Sequence, residues 1–502
     1  MSALPMSRTI PPTASSAILP RRIAVLGFAR SGQALAGALL ARGIEVSVGD
    51  ARAAEELGNP ARIAEMTARG ARFHFHMGGS PSELLAGADW LAISPGVPLD
   101  SPVVSAARSR GIPVLAEIEI AYRIAEAEAP GANRWVAVTG TNGKSTTTTW
   151  IAEMLRRAGT GTGTDRPVAL AGNIGEPLSG FLGSGSRDFV CEVSSFQLEA
   201  IDRFRAHVAV LTNVTPDHLD RYASFSDYAE AKARLFARQT GEDTAVLNAD
   251  DAFARGLAAP ARRVLFSRRG RPARGPHESA VWVEAGVLVS DIGGTRHEVV
   301  SADRLALPGA HNLENALAAV AAAEALGTPA AAILDALTRF TGLPHRTELV
   351  AEANGVRWID DSKGTNVDAT AKSLEGFADG TVVLILGGRD KHGDFAALAP
   401  LVARRTRVVL TIGEAAGPIE AALRSGGVSS IESCGAMPAA VARAAVLARP
   451  GDTVLLSPAC ASFDQYRNYE ERGRHFAELA RRASGKSDES APPTTEGVPH
   501  GA

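Results

Sequence analysis

Arg134-Trp135-Val136-Ala137-Val138-Thr139-Gly140-Thr141-Asn142-Gly143-Lys144-Ser145-Thr146-Thr147-Thr148 is the stretch that decides how the rest of the chain is read. It runs from a short apolar strand through a tight glycine loop into the start of a helix. A loop in that place turns several backbone N–H groups and the positive end of a helix dipole into one small space, which suits a phosphate. Lys144 adds a mobile cation, and the Ser145 hydroxyl can ligate Mg²⁺ beside the phosphate. The common form of this loop has four residues between its first glycine and the Gly-Lys pair. Here Val138 stands where that glycine would be, and Gly140 opens a shorter variant. Standing alone, such a turn also joins strand to helix in α/β units without a nucleotide, so its neighbours must decide.

Upstream, strand-like Ile23 to Leu26 leads into Gly27-Phe28-Ala29-Arg30-Ser31-Gly32, an Ala/Leu-rich helix, and a second strand that ends at Asp50. This nearly matches the dinucleotide fingerprint, but Ala29 replaces the second glycine and would crowd a pyrophosphate. A doubly wound domain without nucleotide fits the pattern too. Asp50 at a strand end suits a ribose or a uracil, and equally a turn. Trp90 to Ile93 end in Ser94-Pro95-Gly96, a second loop at the edge where open α/β sheets bind ligands. Ile112 to Leu115 and a helix to about Ala129 close this unit, and Pro130 to Asn133 read as a linker.

Downstream, continuous apolar strands alternate with helices, which predicts a parallel sheet covered on both faces. The strand Asp188 to Val193 carries Glu192, and His207 to Leu211 lead to Asp217-His218. Both therefore fall at or just beyond strand carboxyl ends, on the edge of the Lys144 loop. A helix near Phe225 to Ala237 carries Lys232. Residues 277–300 alternate and read as an antiparallel hairpin, and Pro308 to Asn315 open an Ala-rich helix. Beyond Gly342, four further strands end in polar loops: Asp360-Asp361-Ser362-Lys363, Gly387-Gly388-Arg389-Asp390-Lys391, Gly413, and Ser457 to Gln465. A long C-terminal helix follows. The expected architecture is three doubly wound α/β domains without internal repeats: Rossmann-like over 21–133, a phosphate-loop ATPase with a mostly parallel sheet over 134–341, and Rossmann-like over 342–484.

The totals agree. The 502 residues exceed one core and suit roughly three domains of about 150. A net charge of −3 leaves no footprint for nucleic acid or a polybasic membrane patch. Cys191, Cys434 and Cys460 match neither a disulfide framework nor a zinc pattern and suit a reducing cytoplasm. No run approaches a membrane span, and residues 1–20 lack the apolar core of a signal peptide. Those residues and 485–502 read as disordered tails.

A carboxylate beside a phosphate loop and its hydroxyl is what triphosphate chemistry requires, and Glu192 can supply it. By itself His218 is the weaker Mg²⁺ ligand, because hard cations prefer oxygen, and Lys232 by itself reads as a helix-surface lysine. The set in order does more: Gly140-Thr-Asn-Gly-Lys-Ser-Thr, Gly172-Asn-Ile-Gly, Glu192-Val-Ser-Ser-Phe-Gln, Asn213-Val-Thr-Pro-Asp-His, His311-Asn with Asn315, Gly342-Leu-Pro-His-Arg, Asp361-Ser-Lys-Gly-Thr-Asn, and Ser457-Pro-Ala-Cys-Ala-Ser-Phe-Asp-Gln. From Arg21 to Ala483 the chain resembles the Mur ligases of bacterial cell-wall synthesis, and among them the D-glutamate-adding branch.

That resemblance implies an ATP-dependent ligase joining D-glutamate to UDP-N-acetylmuramoyl-L-alanine through an acyl phosphate. It implies a first domain holding UDP through Ser31, Asp50, Ser94 and Gly96, with Asn173 and Gln197 nearer the sugar. It implies that Gly140, Thr141, Asn142, Gly143, Lys144, Ser145, Thr146, Asn312, Asn315, Arg346 and Asp361 serve ATP. Ser145, Glu192, His218 and Lys232 would serve Mg²⁺, with Lys232 carbamylated by CO₂ and Lys144, His218 and Lys232 catalytic. D-Glutamate would meet Lys363, Thr365, Lys391, Ser462, Phe463 and Tyr469. A cytoplasmic monomer is expected, with neither nucleic-acid binding nor membrane insertion. Two ligase alternatives stand beside this reading, one adding lysine or diaminopimelate and the other of the folylpolyglutamate synthase type. A third, from another class, is a nucleotide-dependent regulatory module without ligase chemistry.

Overall fold

The computed structural model describes residues 19–485 except 58, 59, 76–80, 163–165, 184, 186, 220, 308, 341 and 392. The expected tails therefore lie, but for their innermost residues, outside the described residues. The described chain forms two compact units. One takes residues up to 216 and from 222 to 341, and the other takes 217–221 and those from 342 onward.

The first unit contains two sheets. The N-terminal one is parallel, in the order Arg72–His74, Glu45–Gly49, Arg22–Leu26, Trp90–Ile93, Val114–Ala116. The order reverses between Arg22–Leu26 and Trp90–Ile93, so the loops after these strands flank the crevice where doubly wound sheets take ligands. The edge strand Arg72–His74 is additional to the expected set. It is three residues long and at most half-buried, so no apolar run announces it.

The second sheet has nine strands: Val168–Gly172, Asp188–Glu192, Arg134–Thr139, Val208–Leu211, Thr244–Asn248, Arg262–Ser267, Ser279–Glu284, Val287–Ser290 and His297–Ser301. Pairing is parallel as far as Ser279–Glu284 and antiparallel beyond it. The single hairpin expected over 277–300 is three strands. The first extends the parallel sheet, and turns at Gly286 and at Gly293-Gly294, all at positive φ, reverse the chain twice. Helices Lys144–Thr162, Ala310–Ala325 and Ala330–Arg339 cover one face, where Trp150, Ile151 and Met154 pack with Val136, Val138, Val208 and the alanine-rich run Ala316 to Ala323.

The other face of that sheet shares its core with the N-terminal sheet. Trp135 stacks on Phe189 at 4.2 Å and meets Tyr122 of helix Glu117–Glu128 at 5.0 Å. The first turn of that helix fastens the two layers. Glu117 accepts the Ser179 amide at 2.7 Å, and Glu119 accepts the amides of Asp202, Arg203 and Phe204 at 2.9–3.0 Å. Burial raises the Glu117 carboxyl above its usual range against the opposing Ser179 hydrogen bonds.

The second unit has one sheet, ordered Glu348–Ala353, Val356–Asp360, Thr453–Leu456, Val382–Gly387, Thr406–Ile412, Ile431–Gly435, with only the first pair antiparallel. Its two edge strands are additional to the expected four. Glu348–Ala353 and Ile431–Gly435 are only partly buried, and polar residues interrupt their apolar sequence. Helix Tyr469–Ala483 packs on strands Glu348–Ala353 and Val356–Asp360. Among the described residues no helix is long and apolar enough to cross a membrane.

Candidate active site

In the first unit the strand Arg134–Thr139 delivers the chain to Gly140 (φ +147°) and Gly143 (φ +81°), and the helix begins at Lys144. Both glycines are required by close approach as well as by φ. A Cβ on Gly140 would lie 1.9 Å from Thr212 Oγ1, and one on Gly143 would lie 2.1 Å from Asn315 Oδ1. The loop is clasped by the end of the next strand. Asn213 O accepts the Thr141 amide at 2.8 Å, Asn213 Oδ1 accepts the Asn142 amide at 2.9 Å, and Thr212 Oγ1 donates to Asn142 O at 2.6 Å. Thr141 Oγ1 lies 3.1 Å from both Thr215 O and the Tyr228 hydroxyl.

Around this loop the expected residues gather. Lys144 Nζ donates to Gly140 O (2.9 Å) and Thr141 O (2.7 Å). Ser145 Oγ donates to Glu192, which also accepts from Asn173 Nδ2 at 2.6 Å and is 1% exposed. Thr146 is buried in the same first turn. Lys232 is not a surface lysine. It is 1% exposed, donates to Gly140 O at 2.8 Å, and lies over the Tyr228 ring at 4.3 Å. Asn315 accepts from Thr147 and approaches Asn312, both on the first turns of helix Ala310–Ala325.

The N-terminal residues of the same unit lie at the reversal of strand order. Ser94 Oγ donates to Gly27 O at 2.9 Å, Ser31 opens helix Arg30–Leu40, and Gly96 is exposed with open space around it. Asp50 already has partners: the Phe28 amide at 2.7 Å and Arg52 through its amide, Nε and Nη2 at 2.9–3.0 Å. Burial pushes this carboxyl up, but those hydrogen bonds prevail and hold it below the usual range. Arg30 reaches Gly175 O at 2.5 Å, tying this crevice to the Asn173 loop. Gln197 takes part in a capping box, with Oε1 accepting the Ser194 amide at 3.0 Å.

The second unit holds the rest. His218 adopts φ +55°, and its neighbour Asp217 takes Asn366 Nδ2 at 2.9 Å and Lys391 Nζ at 3.3 Å. Asp361 accepts Ser457 Oγ at 2.7 Å and the Thr347 amide at 3.3 Å, and burial pushes its carboxyl up to about 7. Arg346 faces it as the opposing charge. Lys363 Nζ stands 3.7 Å over the Tyr469 ring, Thr365 follows in the same loop, Ser462 is buried, and Phe463 is 63% exposed.

Three family models match the chain: Mur ligase MurD-like, N-terminal domain, over residues 21–116; Mur ligase middle domain, over 138–323; and Mur ligase, glutamate ligase domain, over 345–460. A UDP-N-acetylmuramoylalanine--D-glutamate ligase of Pelotomaculum thermopropionicum is 44% identical over 467 residues, 91% of this chain and 97% of the relative. One of Anaeromyxobacter dehalogenans is 45% identical over 476 residues, 91% and 97% of the two chains. The chain belongs to the Mur ligase family.

Solved Mur ligases share its architecture. A UDP-N-acetylmuramate-alanine ligase of Thermotoga maritima aligns with a TM-score of 0.57 at 20% identity, covering 93% of this chain and all of that one. A MurF of Acinetobacter baumannii aligns at 0.59 and 17% identity, covering 91% and 93%. The likeness speaks for the fold.

This Mur ligase also has residues at its site that sequence reading passed over. Arg472 is 1% exposed, and its guanidinium donates to Ser362 Oγ and O, Cys460 O, Ala461 O and Gly387 O at 2.9–3.5 Å. One side chain thus ties together the loops that follow three strands of the sheet, those carrying Lys363, Lys391 and Ser462. Burial pushes it down to about 10. The signal was available: Arg472 shares the stripe of Phe476 and Ala480 on an amphipathic helix, where a surface arginine does not belong. Asn213 stands in the ordered motif set, but residue type does not show that it and Thr212 clasp the phosphate loop.

Proposed function

We propose that this Mur ligase joins D-glutamate to UDP-N-acetylmuramoyl-L-alanine with ATP, forming ADP and phosphate, in peptidoglycan precursor synthesis. The observation that carries the reading is the 44% identity to a UDP-N-acetylmuramoylalanine--D-glutamate ligase along 97% of that relative. The geometry supports it at the donor half, where Lys144, Ser145, Glu192 and Lys232 converge on one glycine loop. ATP and a UDP-linked acid are charged and confined to the cytoplasm, which is where a single chain would act.

A carboxylate is a poor electrophile. In this reading the γ-phosphoryl group passes to an oxygen of the alanyl carboxylate, giving an acyl phosphate and ADP. The neutral amine of D-glutamate forms the C–N bond and loses its proton, and the tetrahedral adduct breaks its C–O bond to release phosphate. The loop amides and Lys144 grip and orient the triphosphate, and Lys144 meets charge developing on the transferred group. Asn312 and Asn315 face the adenine, with Arg346 and Asp361 completing the ATP contacts. The first unit's Ser31, Asp50, Ser94, Gly96, Asn173 and Gln197 hold the UDP substrate. Lys363, Thr365, Lys391, Ser462, Phe463 and Tyr469 hold the amino acid, whose two carboxylates suit lysines and hydroxyls.

Mg²⁺, when bound, neutralises the phosphate oxygens as the γ-phosphoryl group leaves. Ser145 and Glu192, two oxygen donors already in contact, are the set that hard cations take. His218 and Lys232 would complete the metal sites. An amine is no ligand for Mg²⁺, but reaction of the Lys232 amine with CO₂ yields a carbamate and a proton, and the carbamate offers oxygens.

The deciding experiment mixes the protein with ATP, UDP-N-acetylmuramoyl-L-alanine and one amino acid at a time. Phosphate release with D-glutamate alone is expected, and release with lysine or diaminopimelate instead would refute the assignment. Lys144→Ala should abolish ADP formation while the circular dichroism spectrum is unchanged.

A further inference from the structure

Arg346 stands between two residues with unusual backbones. His345 has φ +63° and Thr347 has φ +47°. Left-handed conformations are uncommon for a histidine and rarer for a β-branched residue, so the surrounding structure must impose them. The restraints are identifiable. His345 Nδ1 lies 2.6 Å from Asp360 Oδ2, and its amide donates to Glu348 Oε2 at 2.8 Å. Its carbonyl accepts the Lys363 amide at 3.1 Å, and the Thr347 amide points to Asp361 Oδ1 at 3.3 Å. Asp360 is itself fully buried and fixed, with Oδ1 accepting the Ser362 amide at 2.8 Å.

Helix Tyr469–Ala483 closes over this pair. A Cβ on Gly473 would lie 2.2 Å from His345 Nδ1 and 2.6 Å from Asp360 Oδ2, so only glycine lets the helix approach so closely. The Tyr469 ring meets the imidazole edge-on at 6.3 Å. The ligand atoms of His345, Glu348 and Asp360 lie within 4.8 Å of one another, a spacing that a cation could share. The 2.6 Å contact is nevertheless that of a charge-assisted hydrogen bond, and Glu348 is engaged by the His345 amide.

We propose that His345 and Asp360 are positioning residues for Arg346: their ion pair holds the strained turn that aims the guanidinium at the nucleotide. The proposal rests on the reading that Arg346 contacts ATP. Neither His345 nor Asp360 needs to touch a substrate. The pair also makes the turn sensitive to pH. The hydrogen bond to Asp360 prevails over burial and raises His345 above its usual range, with Glu348 on the following strand and Glu470 on the covering helix acting in the same sense. Arg346, Asp361 and, on the covering helix, Arg472, which interacts with Asp360, are further charges nearby. Because the folded imidazole is raised, the restraint is complete below the unfolded pKa and is lost as pH rises through the folded value.

The test is steady-state kinetics of Asp360→Asn, Arg346→Ala and the double variant of the full chain, with ATP and D-glutamate varied separately. Asp360→Asn should raise KM for ATP at least tenfold, leave KM for D-glutamate within twofold, and move the alkaline limb of kcat/KM for ATP to lower pH. In the Arg346→Ala background, Asp360→Asn should add less than twofold, because the pair acts through the arginine. If Arg346→Ala leaves KM for ATP unchanged, the ATP reading of Arg346 fails and this proposal falls with it. If Arg346→Ala raises KM and Asp360→Asn does not, the proposal alone is overturned. Should Asp360→Asn fail to fold, His345→Gln must give the same selective loss for ATP, and equal losses for both substrates would overturn the positioning role.

Discussion

Asp361→Asn should make this protein more stable and less active, by an amount that depends on pH. The Asp361 carboxyl is buried, and desolvation raises it from 3.8 to about 7 despite hydrogen bonding from Ser457 and the facing charge of Arg346. The folded state therefore holds a proton that the unfolded chain has released between those two values. Stability falls as pH rises across that window and is level above it. About three pH units at about 1.4 kcal/mol each give a cost of about 4 kcal/mol at pH 8. At pH 5 the same reasoning gives roughly a third of that, and near pH 3 almost none. An asparagine escapes this cost, and its neighbours can accommodate it. Its oxygen can face the Thr347 amide while its nitrogen donates to Ser457 Oγ, which turns its own proton to Thr370 Oγ1, 3.1 Å away. Pulse-labelling hydrogen exchange across a urea series reads the unfolding of strand Val356–Asp360 directly. The variant should match the parent at pH 3 and exceed it by an amount that widens to a plateau above pH 7, while losing ATP turnover. A gap that stays constant with pH, or a variant less stable at pH 8, would falsify the account.

Two further substitutions probe other joints of the molecule. Lys232→Ala should lose turnover, and short carboxylic acids should restore part of it by supplying the missing oxygen ligand; assays without any restoration would argue against the carbamate. Glu119→Gln exchanges a carboxylate that accepts three backbone amides and Arg123 for a group with one acceptor oxygen. It should cost the first unit about 3–5 kcal/mol, as breaking a buried charge pair does. The urea midpoint measures this, and a loss under about 1 kcal/mol would show that these contacts carry little.

Much of the donor half was legible because its chemistry and its fold share a signal. A strand that must be apolar, a loop that must contain glycine and a helix that must begin at once leave few alternatives for residues 134–148, and the glycines prove necessary for packing as well as for φ. Parallel strands buried on both faces read as apolar runs, so their carboxyl ends, and Glu192 with them, could be placed. Three edge strands could not. Arg72–His74, Glu348–Ala353 and Ile431–Gly435 are partly exposed, and a half-solvated strand needs no such run. Residue type also says nothing of partners. Asp50 already has Arg52 as a partner, Gln197 also caps a short helix, and Lys232, by itself a surface lysine on reading, is buried.

The second unit shows why partners matter more than types. Its polar loops carry the residues that a family resemblance names, yet what holds those loops in register is a layer beneath them. Arg472 binds five main-chain and hydroxyl oxygens from the loops after three strands, and His345 with Asp360 holds the turn that carries Arg346. A buried guanidinium without a carboxylate among its direct acceptors depends on geometry, because each carbonyl is a weak partner and the set must be offered together, while Asp464 and Asp360 support its charge from farther off. Lysine could not replace it, since its three donors on one atom cannot reach carbonyls spread over such an arc. The helix supplying Arg472 also supplies Gly473, and the two needs are coupled. The glycine lets the helix lie close enough for the arginine to reach the loops, and the same approach brings the helix against the His345–Asp360 pair. Helix Tyr469–Ala483 is therefore the element that converts a generic parallel sheet into a shaped site, although its side chains at these two positions need touch no substrate.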